Sequence, residues 1–357
     1  MKQSDRLLSL DFFRGFTMFL LIGESFLEYF AHPEFDGTVA HAIFMQFTHP
    51  EWVGFRFWDL IQPFFMFIVG VAIPFSIAKR RSLGDSWAKL TSHAGQRSII
   101  LILLGVTLGT RGNEFSLTFQ NVLAQIGFTY FVTFLLMRTK PSVQMATSFG
   151  LILLTAILYR LFPMEGSDPF VRGQTFGDYI NQIIAPGSSG NWASFNAVPT
   201  TAHTIWGALC GQLLRSKFSG TKKLKILIIG GLAGIVIGYA LTPISPIIKH
   251  ICTSSFVFIS GGWAILALAL TYWIIDIKQY RKWAKFGIIV GMNPIFIYLF
   301  SDSIRGVVFR FLEPWVSLIF SWVNSTSFIE ALMLAIAWFF NWYICYLLYK
   351  KQIFIKL

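Results

Sequence analysis

A histidine and an aspartate stand at the start of a long apolar stretch. In THPEWVGFRFWDLIQPFFMFIVG, residues 48–70, His49 precedes the apolar run and Asp59 lies just inside it. An imidazole near a carboxylate is suited to general-base chemistry at neutral pH. Isolated histidines are also common on protein surfaces, so the spacing alone does not decide between a surface residue and a catalytic one. Pro50 and Trp52 favour a catalytic role, because tryptophan holds segments at the lipid–water interface.

The first apolar segment carries further ionisable residues. Asp11 and Arg14 are three residues apart, and Glu24 and Glu28 are four apart, so each pair shares one face of a helix. Arg14 either forms a local ion pair with Asp11 or faces an anionic ligand. Two glutamates this close can share a proton or bind a cationic group.

The histidines and cysteines do not predict a metal site. The loop histidines match no zinc-binding pattern: His32, His41 and His49. The cysteines are isolated and odd in number: Cys210, Cys252 and Cys345. We therefore expect no metal, no structural zinc and no disulfide framework.

The composition is that of a membrane protein. Of 357 residues, 55% are hydrophobic and 13% are charged, whereas a soluble domain has about 25% charged residues. The net charge of +12 comes from Lys and Arg in short loops between apolar segments, which is how cytoplasmic loops are marked. No basic patch interleaved with aromatic residues is present, so we expect no nucleic-acid partner.

Ten segments are predicted to cross a bilayer as helices, which requires about 17–25 residues, although the third of them is shorter than that. They lie near 12–31, 57–78, 98–112, 120–137, 142–162, 199–215, 224–242, 254–275, 286–302 and 328–349. The sequence therefore predicts an all-α, polytopic membrane bundle, with residues 1–357 forming a single domain.

The loops rich in Lys and Arg predict how the chain is oriented in the membrane. They fall on one side if both termini are cytoplasmic, which puts the loops 32–56 and 163–198 outside. The stretch 303–327 could be an eleventh span. That would move the basic C-terminal segment outside, so an interfacial helix is preferred. Glycines at GxxxG spacing allow close helix packing and also a homodimer.

Three motifs resemble a known family. RLLSLDFFRG (6–15) fits R-x-x-S-x-D-x-x-R-G, HPEWVG (49–54) fits H-x-x-W-x-G, and DLIQPFFMFIVG (59–70) fits D-L-x-x-P-x-F-x-F-I-x-G. This order resembles the transmembrane acyltransferase family of heparan-alpha-glucosaminide N-acetyltransferase and its bacterial relatives. Later segments agree in the same order: 121–131, 198–216, 246–262 and 291–303. The similarity thus covers nearly the whole chain, although no single motif decides it.

The resemblance implies acetyl transfer across a membrane. Acetyl-CoA is taken from the cytoplasmic side, and an amino sugar or related glycan is acetylated on nitrogen or oxygen on the other side. The histidine of H-x-x-W corresponds to His49, which either acts as the base or carries the acetyl group itself. Asp59 would orient the imidazole or stabilise its charge.

The same implication assigns the ligand contacts. Cationic side chains at the cytoplasmic entrance would bind the CoA phosphates: Arg14, Arg80, Arg81, Arg97 and Arg215. Five residues are expected to contact the acceptor: Trp52, Glu28, Lys249, Ser254 and Asn293.

One position departs from the family pattern. Better-known members carry an asparagine near the outer end of the first catalytic span, and ungapped counting from Asp11 puts Ser25 there, next to Glu24. We expect both residues to assist His49. The acceptor is expected to differ as well, and a cell-wall, capsule or other periplasmic amino sugar at a bacterial inner membrane fits best. Two alternatives use the same polar cavity: a transporter for a small solute, and a relative that binds acyl-CoA or sugar without turnover.

Overall fold

The computed structural model describes residues 7–109, 118–164, 166, 168–185, 192–323 and 326–355, with the exception of the Arg305 side chain. Every regular element in these ranges is helical. The α-helices are α1 (Leu8–Ile22), α2 (Glu24–Tyr29), α3 (Val39–Phe44), α4 (Ile61–Ser82), α5 (Trp87–Gly109), α6 (Val122–Leu136), α7 (Pro141–Leu161), α8 (Phe176–Ile184), α9 (Ala197–Arg215), α10 (Gly220–Ala240), α11 (Ser254–Thr271), α12 (Lys285–Gly291), α13 (Pro294–Ile319) and α14 (Thr326–Lys350).

The chain forms two compact units. Unit 1 contains the described residues up to His49, the segment Arg56–Ile61 and the described residues from Leu270 onward. Unit 2 contains Pro50–Phe55 and Gln62–Ala269. The 3₁₀ turn Phe57–Leu60, which leads into α4, begins in unit 1.

Unit 1 is organised around the contact between α1 and α12. A side chain at Gly15 would collide with the backbone of Gly287 and Gly291, so the two helices pack backbone to backbone. A cluster of Phe12, Ile275 and Ala284 buries the cytoplasmic end predicted for α1.

Unit 2 also contains helices that pack backbone to backbone at glycines. Gly70 on α4 packs against the backbone of Thr204 on α9, and Gly207 and Gly211 on α9 pack against the backbone of α4. The sequence prediction that GxxxG glycines permit close helix approach is confirmed at Gly207 and Gly211. These contacts hold α4 and α9 firmly against each other.

The membrane character of the chain is confirmed at a coarse level. Five helices among the described residues are long and apolar enough to cross a bilayer: Phe57–Ser82, Pro141–Leu161, Gly220–Ala240, Ser254–Ile277 and Thr326–Lys350. A sixth candidate is the pair Lys285–Gly291 and Pro294–Ile304, which is bent by 80°. The chain is an integral membrane helical protein. The count of ten spans, the cytoplasmic termini and the homodimer stay predictions.

Several helix bounds differ from the predicted spans. The first, 12–31, is interrupted at Gly23, where α1 ends before α2 begins. The helix that covers the third predicted span, 98–112, begins earlier, at Trp87. Residues 110–112 of that span lie outside the described ranges. In 303–327, α13 continues unbroken from the preceding span to Ile319, and residues 324–325 are not described. Its interfacial placement stays a prediction, as do the sides of the loops 32–56 and 163–198. Residues 165, 167 and 186–191 of the second loop are also not described.

Candidate active site

His49 and Asp59 form a hydrogen-bonded pair within unit 1. Nδ1 of His49 lies 2.7 Å from Oδ1 of Asp59. The Asp59 side chain is fully buried, while that of His49 is 29% exposed. A buried carboxylate on one ring nitrogen, with part of the ring still accessible, is the arrangement that orients a histidine for proton transfer.

The local backbone explains why Asp59 points at His49. Asp59 lies in the 3₁₀ turn Phe57–Leu60, and its Oδ2 accepts the backbone N–H of Arg56 at 2.8 Å. One carboxylate oxygen thus satisfies an open N–H at the start of the helix, as capping residues do. The other oxygen is thereby directed to the imidazole.

The Arg56 side chain also contacts the segment that carries His49. Its Nη1 donates to the Thr48 hydroxyl and, at 3.2 Å, to the carbonyl oxygen of His49. Both hydrogen bonds come from the same nitrogen, which carries two N–H donors. The sequence prediction did not assign Arg56 a role, since nothing in the spacing indicated that its side chain turns back to residues 48 and 49.

This geometry determines which nitrogen could act as a base. A carboxylate only accepts hydrogen bonds, so Nδ1 of His49 carries the proton that binds Asp59. In the neutral ring, Nε2 then carries the lone pair. The pair can therefore take a proton at Nε2 while Asp59 stabilises the resulting imidazolium.

Glu24 is connected to the same turn through a tryptophan. The indole N–H of Trp58 donates to Glu24 Oε1 at 2.9 Å, and Trp58 is 1% exposed. Trp58 immediately precedes Asp59, so the first residue of α2 is fixed beside the turn that carries Asp59. Ser25 follows on α2 and lines a cavity of unit 1, and Glu28 lies half-buried one turn later. The catalytic roles of Glu24 and Ser25 stay predictions.

A second polar cluster lies in unit 2. The His250 ring stacks against the indoles of Trp52 and Trp192, with centroid distances of 5.3 and 4.1 Å. Nζ of Lys249 lies 5.0 Å from the centre of the Trp192 ring, a cation–π contact. The sequence prediction selected Trp52 and Lys249 but missed His250, whose only signal was its place beside Lys249. Ser254, also selected, is the half-buried first residue of α11.

Asn293 is fully buried and holds a C-terminal segment. Its Oδ1 accepts the backbone N–H of Ile355 at 2.7 Å, and its Nδ2 donates to the carbonyl of Ile353 at 3.0 Å. These contacts use both ends of the amide within unit 1. Its predicted contact with the acceptor stays untested.

The cationic residues selected for CoA lie in different settings. In unit 1, Nη1 of Arg14 is 3.4 Å from Oδ1 of Asp11, a local ion pair. In unit 2, Nη1 of Arg80 is 3.9 Å from Oδ2 of Asp85, and Arg81 donates to the Asp85 carbonyl at 3.1 Å. The two arginines in the last turn of α4 are therefore gathered around one acidic residue.

Arg97 and Arg215 differ from each other in burial. The Arg97 guanidinium lies 5.1 Å from the centre of the Tyr130 ring, and its Nε is buried with no hydrogen-bond partner in the described part of the chain. An anionic group is the natural partner for such an atom. Arg215, at the end of α9, is exposed.

Comparison with known proteins gives two kinds of match. The human heparan-alpha-glucosaminide N-acetyltransferase is 24% identical over 425 residues, which cover 99% of this chain and 60% of the human protein. The mouse heparan-alpha-glucosaminide N-acetyltransferase is 30% identical over 136 residues, 36% of this chain and 19% of that protein. This chain thus spans about 60% of the length of the human relative, and the resemblance predicted from the motifs is confirmed as a distant relationship.

A family model described as a domain of unknown function, DUF5009, matches residues 6–206. That match covers more than half of the 357 residues and contains His49, Arg56 and Asp59. The chain belongs to the DUF5009 family.

Proposed function

We propose that the chain is a membrane acetyltransferase that moves an acetyl group from acetyl-CoA to an amino sugar or a related glycan on the other side of the bilayer. The observation that carries the proposal is the hydrogen bond between His49 and the fully buried Asp59. The names of the human and mouse relatives supply the reaction and the sugar class.

The chemistry follows from the lone pair on Nε2 of His49. As the acceptor amine or hydroxyl attacks the thioester carbonyl, Nε2 removes its proton and Asp59 stabilises the imidazolium. The carbon–sulfur bond breaks, the CoA thiolate leaves with the electron pair, and the imidazolium returns the proton to it. In the alternative route Nε2 attacks the thioester carbonyl, and the carbon–sulfur bond breaks as the CoA thiolate leaves with the electron pair. The acceptor then attacks the acetyl carbon, the bond from that carbon to Nε2 breaks, and the acceptor proton ends on the thiolate.

The proposed donor, acetyl-CoA, is a polyanion, and the arginines predicted to bind it differ in how well they are placed to do so. Arg97 has a buried Nε with no hydrogen-bond partner among the described residues, which a phosphate oxygen would satisfy. Arg80 and Arg81 surround Asp85, so their charge is partly neutralised locally. Their role, and the cytoplasmic side of this cluster, belong to the proposal.

The test uses the full chain in lipid vesicles supplied with acetyl-CoA and glucosamine. Release of free CoA is expected to depend on the amino sugar and to disappear in His49→Ala, with the acetylated sugar identified by mass spectrometry. Wild-type protein that releases no CoA with a panel of amino sugars, or an active His49→Ala protein, would overturn the proposal.

A matched control lies in the same loop region. His41 Nδ1 is 3.1 Å from Oδ1 of Asp36, another imidazole–carboxylate pair, but the Asp36 side chain is 69% exposed. His41→Ala therefore removes a similar pair without the buried carboxylate. It should keep wild-type turnover, and the thermal unfolding of both variants establishes that they are folded.

A further inference from the structure

The chain leaves unit 1 directly after His49 and returns to it at Arg56. His49 and Arg56–Ile61 belong to unit 1, whereas Pro50–Phe55 belong to unit 2. Residues 48–56, called the histidine loop below, therefore have ends in unit 1 and a middle that packs within unit 2. Because Pro50 follows His49 directly, contacts that fix the middle of this loop act on His49 through a single planar peptide bond.

The histidine loop is closed at its base and folded back on itself. At the base, Nη1 of Arg56 donates to the Thr48 hydroxyl and, at 3.2 Å, to the carbonyl oxygen of His49. Within the loop the chain turns at Gly54, whose φ is +144°, a conformation that residues with a side chain rarely adopt. A Cβ at Gly54 would also lie 3.1 Å from the Pro50 ring. The loop is thus compact, and little slack separates its middle from its ends.

The middle of the histidine loop is fixed to unit 2 by three contacts. The backbone N–H of Gly54 donates to the carbonyl oxygen of Ile247 at 2.9 Å. The indole N–H of Trp52 donates to the carbonyl oxygen of Phe170 at 2.7 Å. The Trp52 ring also stacks on His250, with centroids 5.3 Å apart and 26° between the planes. Trp52 therefore already uses its one polar atom and part of its ring surface within the protein.

His250 is a firm support for that stack. It is 6% exposed, and its carbonyl oxygen accepts the backbone N–H of Ala193 at 3.0 Å and the Nδ2 of Asn196 at 2.9 Å. The Trp192 ring stacks on the same imidazole at 4.1 Å. Near-parallel aromatic rings at such distances attract each other beyond the effect of their buried area. The imidazole thus holds Trp52 on a part of unit 2 whose backbone is itself hydrogen-bonded.

We infer that Trp52 and His250 are positioning residues, which hold the histidine loop so that His49 stays on Asp59. The catalytic meaning of this inference rests on the proposed function. A displacement of a reacting group by about 1 Å can cost about 10²-fold in rate. Release of Trp52 from His250 frees the middle of the loop and lets the imidazole of His49 move away from the carboxylate.

The kinetic test uses the full chain in vesicles with acetyl-CoA and glucosamine. Trp52→Leu removes both the stack and the indole hydrogen bond, so kcat should fall about ten- to a hundredfold while KM for glucosamine stays unchanged. Trp52→Phe keeps a ring that can stack on His250 and should restore most of the lost kcat. Unchanged kcat in Trp52→Leu would overturn the inference. So would a raised KM with wild-type kcat, since that result identifies Trp52 as an acceptor contact.

Two further variants separate positioning from general stability. Trp192→Leu removes the other tryptophan that stacks on His250 but leaves the histidine loop untouched, so it should keep wild-type kcat. Equal loss of kcat in Trp192→Leu and Trp52→Leu would mean that the cluster only stabilises unit 2. His250→Leu removes the stack from its other partner, and it replaces Trp52→Leu if that protein does not fold. The double variant should be no slower than Trp52→Leu, because both changes remove the same contact, and losses that multiply would contradict the inference.

A spectroscopic measurement needs no turnover. In protein labelled with ¹⁵N-histidine, the proton on Nδ1 of His49, 2.7 Å from Oδ1 of the buried Asp59, should give a resonance that exchanges slowly with water. Its absence from His49→Ala identifies it. The resonance should disappear in Trp52→Leu and persist in Trp52→Phe and Trp192→Leu, and thermal unfolding establishes that each variant is folded.

The two readouts distinguish failure of the inference from failure of the proposed function. A resonance that persists in a slow Trp52→Leu protein would overturn the inference while the acetyl transfer stands. If wild-type protein acetylates no amino sugar but the resonance follows the expected pattern, the proposed function fails and the positioning of His49 stands. If wild-type protein shows no such resonance, the kinetic comparison alone decides.

Discussion

Replacing Asp59 with asparagine is expected to move the proton on His49 and stop it acting as a base. Asparagine has nearly the same shape, but its two ends are no longer equivalent. The backbone N–H of Arg56, 2.8 Å from Asp59 Oδ2, can only donate. The asparagine oxygen must therefore face Arg56, and its NH₂ group must face Nδ1 of His49.

An amide donor at that place changes the tautomer of the imidazole. Nδ1 must then offer its lone pair, which puts the ring proton on Nε2. Nε2 can no longer remove a proton from the acceptor. General acid–base catalysis contributes about 10²–10⁴ in rate, and we expect kcat of Asp59→Asn to fall by that factor.

The cost to stability should be much smaller than the cost to activity. A hydrogen bond to a charged group contributes about 1.5–3 kcal/mol and a neutral one about 0.5–1.5 kcal/mol. Exchanging one for the other at His49 changes the free energy of unfolding by about 1–1.5 kcal/mol. The contact with Arg56 is kept, so the 3₁₀ turn that carries residue 59 should still form.

Asp59→Ala supplies the contrast. It removes the contact with Arg56 as well, and loss of a helix cap costs about 0.5–2 kcal/mol on its own. If Asp59 only holds the fold, alanine should be the more damaging change in the CoA-release assay. If it fixes the tautomer, asparagine should be at least as slow as alanine although it is more stable to heat. Wild-type kcat in Asp59→Asn would refute the reasoning.

Three further predictions concern Arg56, Asp85 and Cys252. Arg56→Met removes the nitrogen that donates to both Thr48 and the His49 carbonyl, so kcat should fall about tenfold, the equivalent of one hydrogen bond of about 1.4 kcal/mol; unchanged kcat would exclude a positioning role for this arginine. The hydrogen bond from Lys89, with Nζ 2.6 Å from Asp85, lowers the pKa of that carboxyl below 3.8. Because this pKa is depressed, the stability from Asp85 is present above pH 3.8 and is lost as the pH falls below it; the difference in unfolding temperature between wild type and Asp85→Asn should shrink over that range. Burial raises the pKa of Cys252 to about 12, so N-ethylmaleimide at pH 8 should label it only after denaturation, as read by mass spectrometry.

The sequence could predict the histidine pair because its parts are close along the chain. His49 and Asp59 lie in one short segment that turns into a helix, and their types alone suggest proton transfer. The role of Arg56 was not predictable in the same way. A long, flexible arginine at a membrane edge has many rotamers, and only the folded loop directs it to the carbonyl of His49.

The helix breaks at Gly23 and at Asn293 differ in whether the sequence could have predicted them. The apolar pattern continues through Gly23, where the helix breaks, and the Trp338 ring, far along the chain, lies so close that any side chain at residue 23 would collide with it. Nothing near residue 23 could reveal that contact. The break at Asn293 did have a local signal, because a residue before proline is disfavoured in the helical region and Pro294 is suited to begin a helix. The predicted span 286–302 ran through that signal.

The same contrast between local and distant contacts appears at the histidine itself. The hydrogen bonds that orient the His49 segment come from Arg56 and Asp59, close to His49 in the chain. The support behind Asp59 is instead distant in sequence, because the indole N–H of its neighbour Trp58 donates to Glu24 at 2.9 Å. The sequence could therefore predict the imidazole–carboxylate pair, whereas the contact from α2 that holds the turn is visible only in the folded structure.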